Sequence, residues 1–227
     1  MRPYNPAEPL IFIHVPKTAG TSVREIFRGW FGAGLIEHYR DEQRDSLPPK
    51  RDLRALQGGA QSLVVYGHFN KYRGFGIQDY YPEVSQFVTI LRDPFERAIS
   101  GYLFVLRQPP SRFRTQVLED DIRSHLLDRP AGGAMAHMPG FLTADNYREV
   151  FERHFVGIGV VERLGESVAR IAAALGRSFD LSQLPRLNAN PDPVPEELLG
   201  LREEFIRLNP VEYEIYNYAL ERVGGSA

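Results

Sequence analysis

Short apolar runs, each ending where a helix-starting segment begins, constrain this chain more than any other feature. Leu10 to Val15 is such a run, interrupted by His14 and ended by Pro16, and it reads as a buried strand. Thr21 to Phe31 follows with Val23, Ile26, Phe27 and Trp30 at helical spacing, closed by Gly32 and Gly34. Leu63 to Tyr66, Phe87 to Leu91 and Phe155 to Val161 read as three further strands. Strands alternating with helices predict an α/β fold: a mostly parallel sheet flanked by helices on both faces.

The intervening segments are read from caps and breakers. Residues 37 to 62 are charged and broken by Pro48-Pro49 and Gly58-Gly59, which suggests loop with a short helix near Asp52 to Leu56. After the third strand, Asp93 can cap, Pro94 fits the first helical position and Glu96 completes a capping-box spacing. That helix is expected to run to about Leu106. Thr115 to Leu127 and Thr143 to Phe151 are expected helices, separated by a flexible Pro130 to Gly140 stretch. Leu164, Val168, Ile171 and Leu175 mark a helix after the fourth strand. Residues 177 to 195 read as loop, and Asn209-Pro210-Val211-Glu212 starts a last helix carrying Tyr213, Tyr216 and Leu220.

Bulk numbers remove whole classes of function. The 227 residues suit one sizeable domain, 1–227, able to bury a core without staples. A formal charge of −2 lacks the basic surplus of a nucleic-acid or anionic-membrane binder, so any anion site must be local. With no cysteine, disulfides, zinc thiolates and thiol catalysis are excluded. No apolar stretch approaches a signal peptide or the ~20 residues of a membrane helix, so the expectation is a cytoplasmic protein without membrane insertion.

Two strand-to-helix junctions carry anion chemistry. In His14-Val15-Pro16-Lys17-Thr18-Ala19-Gly20-Thr21-Ser22, a helix N-terminus offers unpaired N–H groups and a partial charge of about +0.5 e. Gly20 permits close backbone approach, Thr21 and Ser22 add hydroxyls, and Lys17 adds a mobile full charge. The competing reading is an ordinary turn with a solvated lysine. The G-x-x-x-x-G-K spacing is absent, because the lysine precedes the glycine. In Arg92-Asp93-Pro94-Phe95-Glu96-Arg97-Ala98-Ile99-Ser100, Arg92 offers a planar fork for phosphate, and Ser100 lies two turns along the helix. Here the competing reading pairs Arg92 and Arg97 with Asp93 and Glu96 at the surface.

Between them, Tyr66-Gly67-His68-Phe69 ends the second strand, which should bring His68 to the edge where open parallel sheets bind ligands. An unperturbed pKa of about 6.5 suits a histidine to take a proton from an attacking hydroxyl. A structural histidine bonding a carbonyl is the alternative. His14 is expected to be packed or orienting, while His38, His125, His137 and His154 lack motif context and receive no role. Lys71 and Arg73, interleaved with Phe69, Tyr72 and Phe75, suit either a negatively charged sugar ring or a solvated loop.

Pro16 to Ser22 resembles the 5′-phosphosulfate loop of sulfotransferases that use 3′-phosphoadenosine 5′-phosphosulfate (PAPS), and Arg92 to Ser100, with Tyr102 following, resembles their 3′-phosphate motif R-x-P-x-x-R-x-x-S. The resemblance implies a P-loop-like fold with PAPS as co-substrate and no metal. Pro16, Lys17, Thr18, Ala19, Gly20, Thr21 and Ser22 would hold the 5′-phosphosulfate, and Arg92 and Ser100 the 3′-phosphate. Lys17 and His68 would be catalytic, and Asn188 and Asn190 would lie in a loop closing over the nucleotide. Gly67-His68, with Phe155-Val156-Gly157-Ile158-Gly159, Glu162 and the tyrosine-rich last helix, is similar to the heparan-sulfate and uronosyl 2-O-sulfotransferase branch, implying a saccharide acceptor. Tyr66 stands where that branch carries another histidine. Two rival functions are an ATP-dependent phosphotransferase, with Asp93 holding magnesium, and a non-catalytic nucleotide- or glycan-binding module. The cap role of Asp93 and the lysine spacing argue against the first; intact Lys17, His68, Arg92 and Ser100 argue against the second.

Overall fold

In the computed structural model, residues 1–41, 46–57, 62–107, 122–127, 133–184 and 196–225 are described. Five strands, β1 (Leu10–Ile13), β2 (Leu35–His38), β3 (Val64–Gly67), β4 (Gln86–Leu91) and β5 (Phe155–Val160), form one sheet in the order β2-β3-β1-β4-β5. Every pairing is parallel. The described helices are α1 (Gly20–Phe31), α2 (Leu53–Gln57), α3 (Ile77–Tyr80), α4 (Pro94–Arg107), α5 (Ile122–Leu127), α6 (Tyr147–His154), α7 (Leu164–Ala174), α8 (Glu196–Leu199), α9 (Arg202–Leu208) and α10 (Pro210–Gly224). The α/β expectation holds. Among the described residues no helix is long and apolar enough to cross a membrane.

Alternation along the strands divides the core. Leu10 and Phe12 of β1, Val64 and Tyr66 of β3 and Val88 and Ile90 of β4 pack with Val23 and Phe27 of α1 and Val168 and Ile171 of α7. Ile11, Ile13, Val65, Phe87, Leu91 and Phe155 face the other way, against Tyr147 and Phe151 of α6 and Ile215 and Ala219 of α10. Both faces of β1, β3 and β4 are therefore buried, which is why these strands read as continuous apolar runs. Burying one Phe or Leu contributes about 1.5–3 kcal/mol, so the centre of the sheet is its most strongly specified part.

Two expectations need correction. Residues 37 and 38 belong to β2 rather than to a loop, because Leu35 to His38 pairs with Val64 to Gly67 at the sheet edge. The helix expected from Thr143 starts at Tyr147: Asn146 accepts from the Thr143 N–H at 2.8 Å and donates to the Phe141 carbonyl, holding a turn instead. The stretch expected to be flexible contains, in its described part, a 3₁₀ turn at Ala134–Ala136. A carboxylate from α10 fixes that turn, since Glu212 accepts from the N–H groups of Ala134 and Met135. Of the helix expected over Thr115 to Leu127, residues 115–121 lie outside the described residues.

Candidate active site

The parallel sheet brings the ends of β1, β3 and β4 to one edge, and each end carries a distinct device. After β1, Lys17 and Ala19 take positive φ, 69° and 60°, and Ala19 precedes α1 without a side-chain cap. Two non-glycine residues in this region cost about 1 kcal/mol each, so the surrounding contacts must hold the loop. Thr18 is one such contact: its buried hydroxyl donates to the Val15 carbonyl at 2.8 Å. That hydroxyl ties the loop back to the end of β1. Tyr66 is another, donating from its buried hydroxyl to the Gly20 carbonyl at 2.8 Å, with its ring stacked on Phe12 at 4.2 Å. Burial pushes the Tyr66 pKa well above its usual value, so it remains a neutral donor.

Gly20 owes its identity to a ring beneath it. A Cβ at this position would lie 1.8 Å from His14 Nε2. With no side-chain cap, the first N–H groups of α1 have no intrahelical acceptor and are available to an anion. Lys17 is half-buried, its ammonium 4.1 Å above the Phe104 ring. Burial lowers its pKa, and the nearby charges of Arg92 and Arg107 lower it further. Cations are thus held close together at the mouth of the loop, an arrangement that an anion would relieve.

At the end of β3, a Cβ on Gly67 would come 1.9 Å from the His38 carbonyl oxygen, so glycine is needed for β2 to close up here. His68 donates its backbone N–H to the same carbonyl at 2.9 Å. Its ring Nδ1 lies 2.6 Å from the carbonyl oxygen of His14. A carbonyl only accepts, so Nδ1 carries the proton and Nε2 keeps its lone pair in the neutral ring. The His68 ring lies 4.3 Å from that of His14, 4.9 Å from Tyr39 and 6.4 Å from His137.

His38 and His137, given no role from sequence, prove to be neighbours of this site. His38 stacks on Phe69 at 4.5 Å, and its buried Nε2 has no hydrogen-bond partner among the described residues. His137 bonds through Nδ1 to the Phe69 carbonyl. Burial holds all three neighbours of His68 in the neutral form: His14 well below its ordinary value, His38 down to about 4 and His137 to about 3, with the charge on His68 lowering each further. Gly32 and Gly34 ahead of Leu35-Ile36-Glu37-His38 were the available signal for β2; nothing local marked His137.

The third device is the β4–α4 junction. Asp93 caps α4, accepting from the Glu96 N–H at 3.0 Å, and its own N–H donates to Glu162 at 2.9 Å. Arg92 extends back to the first loop, where Nη1 reaches the Lys17 carbonyl at 3.5 Å. Arg202 of α9 pairs with Asp93 at 2.6 Å and with Glu96 at 3.0 Å, a contact that no local pattern announced. Ser100 lies half-buried in the middle of α4, about 10 Å along the axis from the helix start.

Pro16 to Ser22, His68 and Arg92 are therefore gathered at one sheet edge, while Asn188 and Asn190 lie outside the described residues. Lys71 is half-buried on the turn after His68, and the charge of Arg73 is felt at His137. Among the described residues no group of three or more His, Cys, Asp or Glu side chains could hold a metal ion.

Comparison with known proteins adds to this geometry. The model described as "Sulfotransferase family" matches residues 4–139, more than half of the chain. The structure of mouse sulfotransferase SULT7A1 complexed with PAP shares 15% identity at a TM-score of 0.52, covering 96% of this chain and 90% of its own. A sulfotransferase from Alicyclobacillus acidocaldarius shares 16% identity at a TM-score of 0.48, covering 92% of this chain and 96% of its own. At such identity, the likeness to the mouse protein speaks for the α/β fold. No curated protein sequence matches significantly.

Proposed function

The chain belongs to the sulfotransferase family, and from that premise we propose that it transfers a sulfuryl group from PAPS to an acceptor hydroxyl with His68 as general base. One observation carries the reading: the β1 loop is clasped from both sides, by His68 Nδ1 on the His14 carbonyl at 2.6 Å and by Arg92 Nη1 on the Lys17 carbonyl at 3.5 Å. A base, a cationic loop and a guanidinium fork thereby share one edge, as a doubly anionic nucleotide and an attacking alcohol require.

In this reaction the acceptor oxygen attacks sulfur in line and passes its proton to His68 Nε2. As the new S–O bond forms, the bond from sulfur to the bridging phosphate oxygen breaks and 3′,5′-adenosine bisphosphate leaves. Negative charge grows on that bridging oxygen, where Lys17 and the open N–H groups from Gly20 to Ser22 stabilise it. Thr18 and Ala19 shape the loop, and Arg92 and Ser100 hold the 3′-phosphate. No step in this scheme calls for a metal. Residues 1–227 act as one domain in this reading, since Arg202 and Tyr213, from the C-terminal helices, reach Asp93 of the same junction.

The acceptor we favour is a saccharide, as in the uronosyl 2-O-sulfotransferase branch, and the setting is the cytoplasm. Support comes from the turn after His68, where Tyr72 is 74% exposed with the Lys71 ammonium 5.6 Å from its ring. A phosphotransferase would need Asp93 for magnesium, yet both its carboxylate oxygens are engaged, by Arg202 and by the Glu96 N–H. His68→Ala is the direct test. Sulfate transfer should fall by about 10²–10⁴-fold while bisphosphate binding stays nearly intact; loss of both together would count against a base. Labelled-sulfate transfer across a panel of glycans and small alcohols would identify the acceptor, and turnover on alcohols alone would remove the saccharide.

A further inference from the structure

Arg92 and Arg202 converge on one carboxylate from different chain segments. Arg202 Nη1 lies 3.0 Å from Glu96 Oε1, within hydrogen-bonding distance, whereas Arg92 Nη2 stands 3.8 Å from Oε2, beyond it. The second arm of the Arg202 fork holds Asp93 Oδ2 at 2.6 Å, and its guanidinium lies over the Phe95 ring at 5.3 Å. Asp93 Oδ1 is engaged by the Glu96 N–H at 3.0 Å and the Tyr213 hydroxyl at 3.5 Å. Arg202 therefore bridges two acidic side chains that stand immediately beside Arg92. It lies beyond the segment, residues 4–139, on which family membership rests.

We propose that Arg202 is a positioning residue for nucleotide binding: by occupying Glu96, it prevents that carboxylate from capturing Arg92 and leaves the Arg92 fork for the 3′-phosphate. Arg92 lies just ahead of α4, with Nη2 already 3.8 Å from Glu96 Oε2, so a small side-chain movement would close the pair. Without Arg202, Arg92 is the cation left paired with Glu96 among the described residues, and a bidentate pair would compete with phosphate for the same donors. The inference rests on the reading that Arg92 binds the 3′-phosphate.

Calorimetric titration of the full chain with 3′,5′-adenosine bisphosphate and with adenosine 5′-monophosphate separates the possibilities. R202M should weaken bisphosphate binding about tenfold and leave monophosphate binding within about twofold. E96Q in the R202M background should recover most of the loss, and R202K, which keeps charge but not the fork, should fall between. A double variant no better than R202M, or a monophosphate loss equal to that for bisphosphate, overturns the inference in favour of a structural role. R92Q distinguishes the two levels. If R92Q abolishes the preference for bisphosphate while R202M retains it, the inference alone fails; if R92Q retains the preference, the reading of Arg92 fails and the inference with it.

Discussion

The two candidate anion junctions share a topology, a parallel strand feeding a helix, and use the helix N-terminus in opposite ways. At α1 the terminus has no side-chain cap, and two non-glycine residues take positive φ to leave it open. At α4 the terminus is filled by the protein's own Asp93, secured by Glu162, Arg202 and Tyr213. The first junction can offer backbone N–H groups and the ammonium of Lys17, held over the Phe104 ring. The second offers a guanidinium on a rigid mount. Charge that develops during reaction is best met by the former, and charge that stays constant by the latter.

Lys17→Ala should strike the comparison hardest. Removing this cation should lower turnover about 10²–10³-fold with little change in bisphosphate affinity, read by single-turnover transfer beside calorimetry. Unchanged turnover would mean that the open junction does no transition-state work.

Acidification comes next, because the neutral histidines lie under and beside the first junction. His14, His38 and His137 have folded pKa values below the unfolded value of about 6.5, so the unfolded chain takes up protons first. Their contribution is complete above that pH and is lost as pH falls toward about 4 for His38 and about 3 for His137. The melting temperature should drop between pH 7 and pH 5, and less so in His38→Phe, which keeps the stack on Phe69 without titrating. A flat profile would contradict the burial argument.

Asp93→Ala removes the cap and a partner of Arg202, and should cost about 1–2 kcal/mol in chemical denaturation. The smallest effect is expected for Ala19→Gly. It relieves positive φ at the open junction and should change stability by no more than about 1 kcal/mol, toward stabilisation, while slackening the loop. If Asp93→Ala proves neutral and Ala19→Gly severe, the assignment of rigid and open junctions is reversed.

Local signals carried much of this architecture. The buried strands β1, β3, β4 and β5 were legible because burial on both faces enforces apolar runs, and α4 because Asp93, Pro94 and Glu96 occupy cap positions within four residues. The edge strand β2 was not, since its first three residues are partly or fully exposed and its pattern is weak. Tyr66 was legible as the end of a strand; its role as a support beneath Gly20 depends on a partner 46 residues away.

By itself the sequence determined the fold class, the two cation-bearing junctions and the family, because helical period, strand burial and capping act over a few neighbouring residues. Tertiary structure alone decided the strand order, the gathering of His14, His38 and His137 around His68, and the reach of Arg202 to Asp93 and Glu96. Those contacts join residues separated by long crossover connections, and nothing in a short window of sequence records which distant side chain will arrive.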